Sequence, residues 1–142
     1  MIYHTGHKID KISEYGRFGD CLFFSCNIYS MLSNPEKIYA VDDEKLNFIE
    51  VDNVNFWDEE AEKEIMDLMG CDDDTACKIL KGLIQVHEAE NSWDIQKIQG
   101  HLARRLGFDG AIAEDEQGTC YIIPMYNREN LLIDVTKENI LT

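Results

Sequence analysis

The segment 114–117, Glu-Asp-Glu-Gln, places three carboxylates and an amide between two short apolar runs. The runs 111–113 and 120–125 are short and bounded by Gly110 and Gly118, which predicts two strands. Carboxylates fixed at a strand end can bind a metal ion, act in acid/base chemistry or stabilise a sugar cation. The same pattern is also typical of a solvated hairpin loop. These four residues alone therefore leave the chemistry open.

A second group of candidate residues lies at the amino terminus. The segment 2–5 predicts a first strand that carries His4 near its end. Gly6 ends this strand, and its missing side chain allows another molecule to approach the backbone closely. A lone histidine is often a structural residue, so His4 is a candidate only in combination with residues elsewhere.

An aromatic pair and one cation form a third group. The segment 21–25 is apolar and suits a buried strand. Phe23 and Phe24 offer aromatic faces, but neighbouring side chains on a strand point to opposite sides, so one of them is expected in the core. Arg17, in a glycine-flanked loop, can be a pyrophosphate partner or a solvated charge. The chain has no Gly-x-Gly-x-x-Gly segment, which argues against a dehydrogenase.

The spacing of apolar residues predicts the elements that must hold these groups. Further strands are predicted at 37–41, 46–51 and 131–135, and helices at 57–70, from Asp73 or Asp74 onwards, and from Ser92, as the cap, to Leu106. A short helix at 28–32 would carry Tyr29, which could face the core or a ligand. Strands, then helices, then strands predict an α+β fold, with helices segregated from a mostly antiparallel sheet. At 142 residues we expect one domain, residues 1–142.

The net charge of the chain limits the classes of molecule that it can bind. The chain has 28 acidic and 13 basic residues, a formal net charge of −15. This excess argues against direct binding to nucleic acid or to a membrane and favours a basic protein partner, although a decoy that imitates DNA has the same character. The sequence contains no apolar signal segment and no run long enough to span a bilayer, so a cytoplasmic protein is expected. Five cysteines without a Cys-x-x-Cys pair indicate reduced thiols and no structural metal site.

Several segments of the chain resemble the anti-CRISPR ADP-ribosyltransferases of the type I-F group, and the resemblance spans nearly the whole sequence. They are Tyr3-His4-Thr5, Gly16-Arg17-Phe18-Gly19 followed by Leu22-Phe23-Phe24, Gly70-Cys71-Asp72, Leu106-Gly107-Phe108 and, most specific, Asp115-Glu-Gln-Gly-Thr-Cys-Tyr121. The wider resemblance is to the ADP-ribosyltransferase fold of the diphtheria-toxin and poly-ADP-ribose-polymerase type. In that fold a histidine on the first strand, an aromatic pair on a second and a later acidic residue surround NAD.

The resemblance implies a role for each candidate residue. Asp115 would stabilise the positive charge that develops on the nicotinamide ribose, with Glu116 or Gln117 orienting the acceptor. Many relatives place a glutamate in the catalytic position, so the division of roles within this acidic segment stays open. The implied NAD-binding residues are His4 at the adenosine ribose, the backbone of Thr5 and Gly6 at the nicotinamide amide, Ser25 in support, Phe23 and Phe24 against the nicotinamide ring, Arg17 at the pyrophosphate, and Tyr29.

The implied activity is transfer of ADP-ribose from NAD to an asparagine of the PAM-reading subunit of a type I-F CRISPR surveillance complex, in the bacterial host cytoplasm. The added group would block DNA binding. Two alternatives come from the residues themselves. One is a non-catalytic acidic DNA mimic that covers a basic protein surface. The other is a metal-dependent hydrolase with Glu114, Asp115 and Glu116 as oxygen ligands.

Overall fold

A computed structural model describes residues 1–6, 9, 20–26, 37–115 and 118–139 of the chain, with Asp115, Glu138 and Asn139 described by their backbone alone. Within these ranges the strands are β1 (Ile2–Gly6), β2 (Cys21–Phe24), β3 (Lys37–Val41), β4 (Phe48–Glu50), β5 (Gly110–Asp115), β6 (Gly118–Pro124) and β7 (Ile133–Asp134). The helices are α1 (Glu59–Met69), α2 (Asp73–Leu80), α3 (Ala89–Arg105) and α4 (Thr136–Asn139), with short 3-10 turns at Asp43–Lys45 and Glu129–Leu131.

The strands form two sheets. The smaller sheet has the order β1-β3-β7 and the larger has the order β2-β6-β5-β4. All pairings are antiparallel except that of β4 with β5. The predicted α+β fold with a mostly antiparallel sheet is therefore confirmed, although the strands divide between two sheets.

The helices begin where aspartate side chains satisfy their first backbone amides. Asp58 accepts a hydrogen bond from the amide of Ala61 at the start of α1, and Asp72 accepts one from Thr75 at the start of α2, both at 2.8 Å. Such caps contribute about 1 kcal/mol each. The third helix differs from the prediction, because it begins at Ala89, a turn before Ser92, and has no side-chain cap. The Ser92 amide instead donates within the helix, to the carbonyl of Glu88 at 2.9 Å.

The main core lies between the larger sheet and the helices. Helix α3 approaches this sheet through Gly100, where an added Cβ would lie 2.9 Å from both Cys21 Sγ and the Ile122 Cγ2 methyl. A second cluster, with Phe24 and Ile123 at its centre, covers the opposite face of the sheet, and includes Ile2 of β1. The larger sheet is thus packed on both faces, which fixes the strands that carry the candidate residues.

The carboxyl-terminal elements differ from the sequence prediction. The predicted strand 131–135 contains only the two residues of β7, because the chain before it turns in the 3-10 segment. The chain continues with α4, anchored where Thr136 Oγ1 accepts from the Ile38 amide at 2.9 Å. No helix among the described residues combines the length and apolar character needed to cross a membrane.

Candidate active site

The two sheets meet where β1 lies beside β2. Tyr3 and Ser25 exchange both backbone hydrogen bonds, at 2.8 and 2.9 Å, and form an isolated antiparallel bridge. Beyond this bridge a side chain joins the strands: His4 Nδ1 lies 3.0 Å from the Phe23 carbonyl oxygen. The sheets therefore separate at a point occupied by three of the predicted residues, His4, Phe23 and Ser25.

The hydrogen bond at this junction fixes which ring nitrogen of His4 carries a proton. A carbonyl oxygen can only accept, so the proton lies on Nδ1 and Nε2 of the neutral ring is an acceptor. Burial lowers the pKa of His4, and the hydrogen bond to the Phe23 carbonyl opposes that shift only in part. The ring also packs against Phe24, with centroids 5.7 Å apart. Among the described residues no hydrogen bond engages Nε2, and an acceptor nitrogen of this kind suits a hydroxyl donor, such as that of a ribose.

The backbone groups of Thr5 and Gly6 lie at the same junction of β1 and β2. Tyr3 directs its N–H and C=O towards β2, so Thr5, two residues further along β1, directs its own pair the same way. A Cβ added to Gly6 would lie 3.2 Å from His4 Nε2, which means that glycine leaves this nitrogen accessible. The side chain of Thr5 lies on the other face of β1, next to Ile38 in the pairing register.

The aromatic pair divides between the two faces of β2. Phe24 is 1% exposed and lies in the second core cluster, where it supports the His4 ring. Phe23 is half-buried on the opposite face, against the main core. Strand alternation places the side chain of Ser25 on the Phe23 face. The expectation that one ring of the pair is a core residue fits Phe24, so of the two rings Phe23 is the one that can pack against a ligand.

The acidic tip lies at the end of the hairpin formed by β5 and β6, where the backbone of Asp115 pairs with Gly118. The strand β6 lies between β5 and β2, and its Tyr121 pairs with Phe24. Because β6 is antiparallel to β2, the Gly118 end of β6 and the Ser25 end of β2 lie at the same end of the larger sheet. Asp115 and Ser25 are thus at one end of the larger sheet, separated laterally by two strand spacings, about 10 Å.

Glu114 is an acidic side chain that the sequence suggested only as a metal ligand. Its carboxylate accepts a hydrogen bond from Thr119 Oγ1 at 3.1 Å across the hairpin. The register places Glu114, Thr119 and Tyr121 on the face that carries Phe24 and the His4 ring. The alternation of side chains along β5 could have predicted the face on which Glu114 lies. It does so only if the strand is expected to extend past Ala113.

Four candidates lie outside the described residues: Arg17, Tyr29, Glu116 and Gln117. A possible metal-binding group among the described side chains is Asp20, Cys21 and His101, with ligand atoms within 4.8 Å of one another. In the structure His101 Nε2 lies 2.6 Å from the Asp20 carboxylate, and burial raises the pKa of Cys21 to about 12. Asp20 and His101 therefore link β2 to α3, and the Cys21 thiol stays protonated.

The chain is similar to known proteins in both sequence and structure. Residues 10–130 match the model of the family Anti-CRISPR Type I-F ADP-ribosyltransferase AcrIF11. No curated protein sequence matches the chain. Among solved structures, the crystal structure of an anti-CRISPR protein is similar, with a TM-score of 0.58 and 25% sequence identity over 86% of this chain and 87% of that chain.

Proposed function

This chain belongs to the family of type I-F anti-CRISPR ADP-ribosyltransferases, and we propose that it transfers ADP-ribose from NAD to an asparagine of the PAM-reading subunit of a type I-F CRISPR surveillance complex. The observation that carries the NAD site is the separation of β1 from β2 after the bridge between Tyr3 and Ser25. Backbone and side-chain groups of both strands face one another there, and the acidic hairpin tip lies at the same end of the larger sheet.

The nicotinamide end of NAD binds at Thr5. A carboxamide has one acceptor and one N–H₂ donor, and the N–H and C=O of Thr5 supply the matching donor and acceptor. Phe23 packs against the ring, and Ser25 supports this end of the site. His4 Nε2 accepts from a hydroxyl of the adenosine ribose, while Phe24 holds the imidazole in place.

Two further residues extend the proposed site along the dinucleotide. Arg17 pairs with the pyrophosphate, because a guanidinium matches two phosphate oxygens in a bidentate arrangement. Tyr29 contributes a further contact to the ligand. Both assignments come from the family resemblance.

The reaction needs little proton transfer to the leaving group. The bond between C1′ of the ribose and the pyridinium nitrogen breaks, and nicotinamide leaves with the electron pair as a neutral molecule. The ribose gains oxocarbenium character, which the Asp115 carboxylate stabilises electrostatically. The acceptor amide nitrogen then attacks C1′ and loses a proton, with Glu116 or Gln117 orienting it.

The proposed modification would inhibit DNA binding by adding negative charge to the target protein. An ADP-ribosyl group adds a bulky pyrophosphate with two negative charges to the surface that contacts DNA. Like charges repel the DNA phosphates, and the bulk blocks entry to the groove. Since the enzyme is released after transfer, inhibition needs fewer enzyme molecules than complexes.

Mass spectrometry of the surveillance complex, after incubation with the protein and NAD, tests this function. We expect one subunit to gain the mass of ADP-ribose, and Asp115→Ala to abolish the gain while leaving binding to the complex intact. Inhibition of DNA binding without NAD, and equally by Asp115→Ala, would instead establish the acidic DNA mimic. Loss of activity with a chelator would favour the metal-dependent hydrolase.

A further inference from the structure

A cavity of about 280 Å³ lies beside β5, on the edge that faces away from β6. The pairing of β4 with β5 ends at Glu50 and Ile112, and the cavity opens beyond this point, next to Ala113 and Glu114. Helix α3 forms one wall, and the segment 81–86 that follows α2 forms another. The proposed NAD site does not use this cavity.

Carboxylates dominate the charge around the cavity. Glu50, Asp52 and Glu114 all line it and are exposed, and the pairing register places the side chains of Glu50 and Glu114 on the face of the sheet away from α3, at the rim of the cavity. Lys81 is the cation of the lining, and its ammonium donates to the backbone carbonyls of Asn53 and Val54 at 2.9 and 3.3 Å. The rim of the cavity therefore has a surplus of negative charge, which suits a cationic side chain from a partner.

Exposed apolar side chains lie beside these carboxylates. Leu83 and Ile84 line the cavity and are 68% and 39% exposed, and Val54, whose carbonyl binds Lys81, is 86% exposed. Exposed aliphatic side chains of this size beside a polar cavity are typical of a protein-binding surface. We call the set Glu50, Asp52, Val54, Leu83, Ile84 and Glu114 the Leu83 surface.

The Leu83 surface is continuous with the proposed catalytic tip. Glu114 lines the cavity and directly precedes Asp115 in β5, so a partner seated here meets the hairpin tip. An acceptor must reach C1′ of the ribose at the moment nicotinamide leaves, and a docking site one residue away provides that proximity.

We propose that the Leu83 surface binds the acceptor protein, with a lysine or arginine side chain of that protein against the carboxylates at the rim of the cavity and apolar contacts to Leu83, Ile84 and Val54. This inference rests on the proposed function, since it takes the target to be a protein. The basic character of a DNA-reading surface supplies the complementary charge.

Two substitutions test the two halves of this surface. Leu83→Ser removes the apolar contact, and Glu50→Lys reverses one of the carboxylates. Each is expected to weaken binding to the type I-F surveillance complex about tenfold or more, as measured by biolayer interferometry, because central apolar and charged contacts dominate such interfaces. The rate of ADP-ribose transfer at limiting concentrations of the complex should fall by the same factor.

Matched variants provide the controls. Ile133→Ser changes an aliphatic side chain that is 45% exposed on β7, and Asp67→Lys reverses an exposed carboxylate on α1. Both should bind the complex as the unsubstituted protein does. All four variants should bind NAD with unchanged affinity in calorimetry, which separates docking from the nucleotide site.

The outcomes distinguish the two proposals. If the unsubstituted protein modifies no subunit, the proposed function fails, whatever the variants do. If it does modify the complex but Leu83→Ser and Glu50→Lys bind and react like their controls, the docking surface is wrong and the function stands. If these two variants instead change the mass of the free protein in light scattering, the surface joins copies of this chain, and the inference is overturned.

Discussion

At the scale of single residues, the part of the proposed NAD site that β1 supplies consists of backbone groups and the His4 imidazole. His4 donates from Nδ1 to Phe23, so only Nε2 is available to a ligand. The sequence predicted His4, Thr5 and Gly6 correctly as neighbours on one strand. It could not predict which face each would use, because that depends on the pairing of β1 with β3 and on the single bridge to β2.

Gly6→Ala tests this use of the backbone. The added methyl group would lie 3.2 Å from His4 Nε2 and cover it. We expect the dissociation constant for NAD in calorimetry to rise about tenfold, which corresponds to about 1.4 kcal/mol, with little change in stability. Thr5→Val is the control. It keeps the backbone groups proposed to bind the carboxamide and changes only a side chain on the other face of β1, so it should leave NAD affinity unchanged. Equal affinities for both variants and the unsubstituted protein would show that Nε2 does not contact the ligand.

At the scale of elements, periodicity predicted most strands and helices, and long-range pairing limited the rest. The acidic segment was predicted to lie between two strands, but β5 extends into it as far as Asp115, and β6 begins directly after it at Gly118. Gly118 has a φ of 115°, which permits the short connection there. The start of α3 was predicted too late because no side-chain cap marks it, and the parallel pairing of β4 with β5 has no local signal.

Gly100→Ala tests how α3 holds the larger sheet. Alanine favours a helix by about 1 kcal/mol over glycine, but the added methyl would lie 2.9 Å from Cys21 Sγ and from Ile122. Overpacking of this kind costs about 1 to 3 kcal/mol, so we expect a net loss of unfolding free energy in urea titrations. Combining it with Cys21→Ala should recover part of the loss, because the sulfur is then absent. A gain in stability from Gly100→Ala alone would mean that α3 is not held close to β2 and β6.

At the scale of the whole molecule, the net charge of −15 and the family membership both agree with the proposed transfer of ADP-ribose to a basic protein. The resemblance seen in short sequence segments is confirmed by the family match over residues 10–130. The roles of Asp115 and Glu116 remain proposals carried by that resemblance and by the position of the hairpin tip. The acidic surface suits a basic protein target, and the junction of the two sheets suits the dinucleotide.

The central claim is that residues near the start of the chain and the tip of the last hairpin contact one NAD molecule. A crystal structure of the protein with a non-hydrolysable NAD analogue measures this directly. We predict the carboxamide at the backbone of Thr5, a ribose hydroxyl on His4 Nε2, and the nicotinamide ribose at Asp115. A dinucleotide bound elsewhere, or bound to β1 with its nicotinamide ribose distant from the hairpin tip, would contradict the account.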